Sequence, residues 1–234
     1  MITKKVMKLF EKKINYNFKN IRILEDALTH PSYYKDKKKI FKNTNQFERY
    51  EFLGDRVLGL VISSILFNKF KSMDEGDLSK KYSYLVQKNF LYKISLDLSL
   101  DKFLLYNFKK NNKKMEISIF SDAVESLIGA IFIDSGYKSS YNFIKKFWIS
   151  YFDIENSEIL DPKTALQELS QQQSKKLPEY TLLKKEGPPH LPKFTVSLKV
   201  LNLKKINSIG SSIKEAESIA ATEALKLLNE NKTT

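Results

Sequence analysis

Between residues 48 and 67 a strongly apolar helical pattern carries carboxylates on the face that should be its driest. Glu48, Glu51 and Asp55 stand at i, i+3 and i+7, and the same face continues through Leu58 and Ile62. Like charges one turn apart cost even a solvated helix ~0.2–0.5 kcal/mol per pair. An ionised carboxylate taken partly out of water without a partner costs far more. Any fold of this chain must therefore bring compensation to that face, and the local sequence offers few cations. A second apolar run, Ser121 to Phe132, repeats the problem with Asp122 and Glu125 at i, i+3.

Each run also contains a glycine that a helix interior disfavours by about 1 kcal/mol against alanine. Gly54 sits between Glu51 and Asp55, and Gly129 lies four residues beyond Glu125. Close approach of two helix backbones is one reason for such glycines. Helices crossed at these glycines would bring Glu51, Asp55, Asp122 and Glu125 together. An all-oxygen set of that kind suits a hard cation, Mg²⁺ with Mn²⁺ as a substitute. The chain has no cysteine and only two histidines, His30 and His190. Thiolate metal sites, disulfides and a cysteine nucleophile are excluded, and a His-based zinc site or a Ser-His triad has little to stand on.

The rest of the first half also reads as helix. Short helices are expected over 4–10 and 20–28, and Pro31 breaks the second. The acidic helix runs to about Phe70. Asp77 is expected to cap a helix through Leu85 and Val86, and one or two short helices cover 91–108. The aromatic stripe of Phe143, Phe147, Trp148 and Phe152 is expected to be core, and His30 a packing residue. Residues 1–152 show no strand pattern. Residues 153–160 are polar and acidic and read as a linker. Asp161-Pro162 then opens a second domain with residues favoured at N-cap and N1. A helix to about Ser174 is followed by strands over 178–186, 194–200 and, more weakly, 204–210. A final helix over 213–229 turns Ala216, Ile219, Ala220, Ala224 and Leu227 inward. The fold class is an all-α domain (1–152) followed by a small α+β domain (161–230) of order α-β-β-β-α.

Both parts are basic. Before residue 160 there are 28 basic and 19 acidic residues, a net of +9; after it there are 12 and 8, a net of +4. Lys35 to Lys42 alone holds five lysines. The balance points to a polyanion such as nucleic acid. No run of about 18 uncharged apolar residues exists, so no membrane span is expected. The Met-Ile-Thr-Lys-Lys start lacks the apolar core of a signal peptide.

The octapeptide Glu48-Arg49-Tyr50-Glu51-Phe52-Leu53-Gly54-Asp55 resembles the signature of the ribonuclease III family. Asp122 to Ala130 resembles that family's second acidic motif, and Asp74 to Ser79 its short acidic turn. The carboxy-terminal part resembles a double-stranded-RNA-binding domain. The resemblance implies a Mg²⁺-dependent endoribonuclease acting on double-stranded RNA as a cytoplasmic homodimer, with a role in rRNA and mRNA processing. Its products would carry 5′-phosphates and short 3′ overhangs. Glu51, Asp122 and Glu125 would ligate the metal, Glu125 and Asp55 would be catalytic with Asp55 orienting the attacking water, and Glu48 and Glu75 would be supporting acids. In the second domain the resemblance assigns RNA contact to Gln167 and Glu168, to His190 in the following loop, and to Ser211, Ser212 and Lys214 at the start of the last helix. Such a domain reads duplex shape, phosphates and 2′-hydroxyls. Two departures stand out. Arg56 occupies a position where the family usually has a small residue, and only Lys214 remains of the basic cluster expected near the last helix, which implies weaker binding by this domain. The other class compatible with the sequence is a non-catalytic double-stranded-RNA-binding or ribosome-associated relative, against which the complete acid set argues.

Overall fold

A computed structural model describes residues 4–34, 46–107, 112–154, 161–188 and 191–230. The chain divides into two compact units, Met1–Ile154 and Glu155–Thr234. The first is helical: α1 (Lys4–Ile14), α2 (Ile21–Ala27), α3 (Gln46–Lys69), α4 (Glu75–Val86), α5 (Lys88–Asp97) and α6 (Lys113–Trp148), with short 3-10 turns at Pro31–Tyr34, Leu100–Lys102 and Ile149–Tyr151. Among its described residues the sole β feature is an isolated bridge between Thr29 and Leu105.

The helix ends follow local chemistry. Asn20 caps α2 and Asn112 caps α6, each side chain accepting from a backbone N–H of the first turn. At α4 the expected cap is displaced by three residues. Asp74, not Asp77, is the N-cap, and the Asp77 N–H donates to its Oδ1 at 2.8 Å. Asp77 falls in the first turn, where a carboxylate also meets the positive end of the helix dipole. The second acidic run and the aromatic stripe as far as Trp148 lie in two helical segments of α6 that meet at Gly136, whose φ of 75° is non-helical and falls at a residue with no Cβ penalty.

Helices α3 and α6 form the centre of the unit. Leu58, Val61 and Ile62 of α3 and Ala123, Val124, Leu127 and Ile128 of α6 are sealed from solvent. Phe143, Trp148 and Phe152 are buried as well, and the Trp148 indole N–H donates to the Leu85 carbonyl at 3.0 Å. His30 packs edge-on against Phe47, and its Nδ1 lies 2.8 Å from the Ser32 hydroxyl and accepts from the Ser32 N–H, contacts that hold the turn at Pro31.

The second unit has α7 (Pro162–Ser174), β1 (Glu179–Glu186), β2 (Lys193–Lys199), β3 (Ile206–Gly210) and α8 (Ile213–Glu230). The strands form an antiparallel sheet in the order β1-β2-β3. Its core joins Leu166, Leu198, Val200 and Ile206 to Ala220, Ala221 and Ala224. The inward face of α8 is narrower than the periodicity suggested. Ala216, Ala220, Ala221 and Ala224 are buried, whereas Ile219 and Leu227 remain exposed. Small side chains let α8 lie close to the sheet, and a second row of bulkier residues cannot follow them in.

Candidate active site

The glycine crossing exists. A Cβ on Gly54 would overlap the Glu125 carbonyl oxygen, and one on Gly129 would overlap the Tyr50 carbonyl oxygen and lie 3.0 Å from the Gly54 nitrogen. With the backbones so close, α3 and α6 project their acids into one cleft. Glu51, Asp122 and Glu125 offer carboxylate oxygens that all lie within 4.8 Å of one another. Among the described residues this is the one group of three or more acidic, histidine or cysteine side chains able to hold a metal. All three are half-buried.

The electrostatics follow from that crowding. Burial pushes the Glu125 carboxyl up to about 7, and the charges of Asp122 and Glu51 add to the effect. Glu51 is raised above its ordinary value by burial first and then by the charge of Asp122, with Lys88 opposing the rise and Glu48 adding to it. Two cations oppose the rise at Glu125, Lys88 and Arg56. Lys88 Nζ stands 3.3 Å from Asp122 Oδ1. No motif had singled out this lysine. It belongs to α5, so only its closeness in space, not its position in sequence, connects it to the acids.

The other anticipated site residues fall in different places. Asp55 and Glu48 line the same open cleft of about 580 Å³ as Glu51, Lys88 and Glu125, together with Phe52. Asp55 lies outside the tight group; its carboxylate pairs with Arg56, whose guanidinium also stands 5.4 Å from the centre of the Phe52 ring. Glu75 lies elsewhere, accepting from the Ser79 hydroxyl at 2.8 Å beside a hollow lined by Leu60, Ser63 and Phe67. In the second unit Gln167 is exposed and Glu168 half-buried on α7. Ser211 and Ser212 are engaged in a helix cap: the Glu215 N–H donates to Ser212 Oγ at 3.1 Å, and the Ser211 N–H and hydroxyl both donate to the Glu215 carboxylate. Those bonds hold the Glu215 carboxyl below its ordinary value. A fixed negative charge therefore sits next to Lys214. His190 lies outside the described residues, as do Lys35 to Lys42.

The donor set fits a hard divalent cation: three oxygen ligands, partly dehydrated, mutually repelling until a positive charge separates them. Because a ligand must be ionised to bind, affinity for Mg²⁺ or Mn²⁺ is expected to fall on acidification below about pH 7, by up to about tenfold per pH unit from Glu125. Calorimetric titration across pH 5.5–8 checks this; an affinity flat over that range would remove Glu125 from the ligand set.

Comparison with known proteins converges on the same two regions. Residues 20–152 match the family model described as Ribonuclease-III-like, and residues 162–228 match the double-stranded RNA binding motif. The chain is 40% identical over 223 residues to a protein named Ribonuclease 3 from Wolbachia sp. subsp. Brugia malayi, covering 94% of this chain and 91% of that protein. It is 40% identical over 220 residues to Ribonuclease 3 of Rickettsia felis, covering 93% and 96% respectively. Among solved structures, a nuclease domain of Ribonuclease III from Campylobacter jejuni superposes with a TM-score of 0.54 at 36% identity, over 65% of this chain and all of that one. Another structure of that domain, described as showing structural flexibility in a region involved in dimer formation, gives 0.52 at 37% identity, over 62% of this chain and 97% of that one.

Proposed function

The chain belongs to the ribonuclease III family, and we propose that it hydrolyses phosphodiesters in double-stranded RNA at the cleft between α3 and α6 with a divalent ion, Mg²⁺ foremost. The observation that carries this reading is the meeting of Glu51, Asp122 and Glu125 from two helices, with oxygens within 4.8 Å. An ion held there supplies Lewis-acid activation of water and neutralises charge on the scissile phosphate. Asp55 and Glu48 stand at the edge of the cleft. Asp55, once turned from Arg56, accepts a hydrogen bond from the attacking water and orients it. Glu48 and Glu75 support the site at a distance. Water adds to phosphorus, the bond to the 3′ oxygen breaks, and that oxygen takes a proton. The products are a 5′-phosphate and a 3′-hydroxyl, with short 3′ overhangs when both strands are cut.

A homodimer supplies the two cuts. Phe52, Leu60 and Phe67 lie along α3 at spacings of eight and seven residues and are 67%, 60% and 73% exposed. Large apolar side chains in one exposed row mark a surface meant for covering, and Phe52 carries that surface to the edge of the acid cleft. The catalytic domain is assigned to residues 1–152 and the RNA-binding domain to 161–230, joined by 153–160. Gln167, Glu168 and His190 would address successive minor grooves, with Ser211, Ser212 and Lys214 toward the phosphates between them. Glu215 makes the last contact weak, so the basic catalytic domain carries much of the affinity. Among the described residues no helix is long and apolar enough to cross a membrane. The cysteine-free sequence suits the cytoplasm, where rRNA and mRNA precursors are the substrates proposed.

Incubation of the purified protein with a long duplex RNA tests the assignment. Cleavage to short duplexes is expected with Mg²⁺ and none in EDTA, from a species that sediments as a dimer. Cutting that persists in EDTA would refute the metal role, and an active monomer would refute the dimer.

A further inference from the structure

Lys88 opens α5 and lies in none of the acidic or RNA-binding motifs, yet its side chain reaches the acid cluster. Its ammonium donates to Asp122 Oδ1 at 3.3 Å and to Ser118 Oγ at 3.2 Å. Asp122 is engaged on both oxygens, because Ser118 Oγ donates to Oδ2 at 3.2 Å while Lys88 holds Oδ1; the Ser121 hydroxyl lies 3.4 Å from Oδ1 but has the Ser118 carbonyl at 2.8 Å as its nearer acceptor. The two partners are unequally placed. The Asp122 side chain is 17% exposed and the Lys88 side chain 64%. The carboxylate is held by its neighbours, whereas the lysine stem stands mostly in water and can withdraw at little cost.

We propose that Lys88 is a built-in counter-ion that takes the place of the divalent cation: it neutralises Asp122 while the site is free of metal and yields that oxygen when the ion enters. The proposal rests on the metal reading of the same cleft. Three half-buried carboxylates meet where two helices touch backbone to backbone, and that crossing has to survive before any ion arrives. A monovalent ammonium lowers the repulsion without filling the site. A divalent ion has twice the charge and no side-chain entropy to lose, so it displaces the lysine. The lysine thus supports folding of the empty site and weakens metal binding, two effects of opposite sign from one charge.

The test uses the full chain with Mn²⁺ as the probe, at constant ionic strength and pH 8. Lys88→Gln is expected to bind Mn²⁺ roughly tenfold more tightly than wild type by calorimetry, and to melt about 2–4 °C lower in EDTA. Lys88→Arg, which keeps the charge, is expected to restore both values. A residue that merely filled space would not move metal affinity upward while moving stability downward. Unchanged or weaker Mn²⁺ binding by Lys88→Gln, with wild type binding normally, overturns this proposal and leaves the metal site intact. Failure of wild type itself to bind Mn²⁺ overturns both. Lys88 is the exposed first residue of α5, and the melting curve of Lys88→Gln in EDTA reads directly that the variant folds.

Discussion

Glu125→Gln is expected to abolish duplex cleavage, by at least about a thousandfold, while gel-shift binding of the same duplex is unchanged within about twofold. The substitution preserves shape and removes one anionic oxygen from a three-carboxylate set. Metal affinity should drop with it, because the remaining acids come from opposite helices, one on each. Stability should move the other way. The Glu125 pKa of about 7 in the folded, metal-free protein exceeds its ordinary 4.5, because burial and the charges of Asp122 and Glu51 disfavour the ionised form. The folded state therefore holds its proton more tightly than the unfolded state, and wild-type stability in EDTA falls as pH rises from about 4.5 to about 7. Glutamine cannot ionise, so the variant's stability should be flatter across that window. Denaturant melts at pH 5 and pH 8 read this independently of activity. A variant that cuts at the wild-type rate would exclude Glu125 from the reaction.

Gly54→Ala is expected to destabilise the helical unit by about 3 kcal/mol or more, at the severe end for added volume in a packed core. The new Cβ would overlap the Glu125 carbonyl oxygen and lie 2.6 Å from its carbon and 2.9 Å from the Gly129 nitrogen. All three are backbone atoms of α6, so relief requires the two central helices to separate. Alanine gains about 1 kcal/mol of helix propensity over glycine, which is too little to offset the clash. Gly59→Ala, on the same helix, provides the control. Its Cβ would meet only the tip of the Tyr82 side chain, 2.9 Å away. A tyrosine hydroxyl can move aside, so that variant should melt within about 1 kcal/mol of wild type. If Gly54→Ala proves as stable as Gly59→Ala, the crossing at these glycines is not what brings the acids together.

Much of the architecture is local in origin and was readable as such. Helical periodicity assigned Leu58 and Ile62 to the core, and two glycines in apolar helices announced a close approach. Asp161-Pro162 marked the start of α7 through capping chemistry that depends on neighbouring residues alone. Other features were out of reach. Glu51 and Asp55 are one turn apart and equivalent on a helical wheel, yet only Glu51 joins the tight group, while Asp55 pairs with Arg56. Nothing in the spacing separates Ile219 and Leu227 from the buried alanines of α8, because the width of that face depends on how closely the sheet approaches. At the start of α8, no spacing rule shows that Glu215 accepts from Ser211 through its carboxylate and donates its N–H to Ser212 Oγ, because both bonds depend on how the chain turns into the helix.

Periodicity, capping residues and the placement of glycine dictated the elements, the buried stripe and the class of chemistry, because each acts within a few residues along the chain. Which carboxylates meet, and which cation faces them, was settled by the packing of α3, α5 and α6. Lys88 and Asp122 are 34 positions apart and become partners only when those helices close around one cleft.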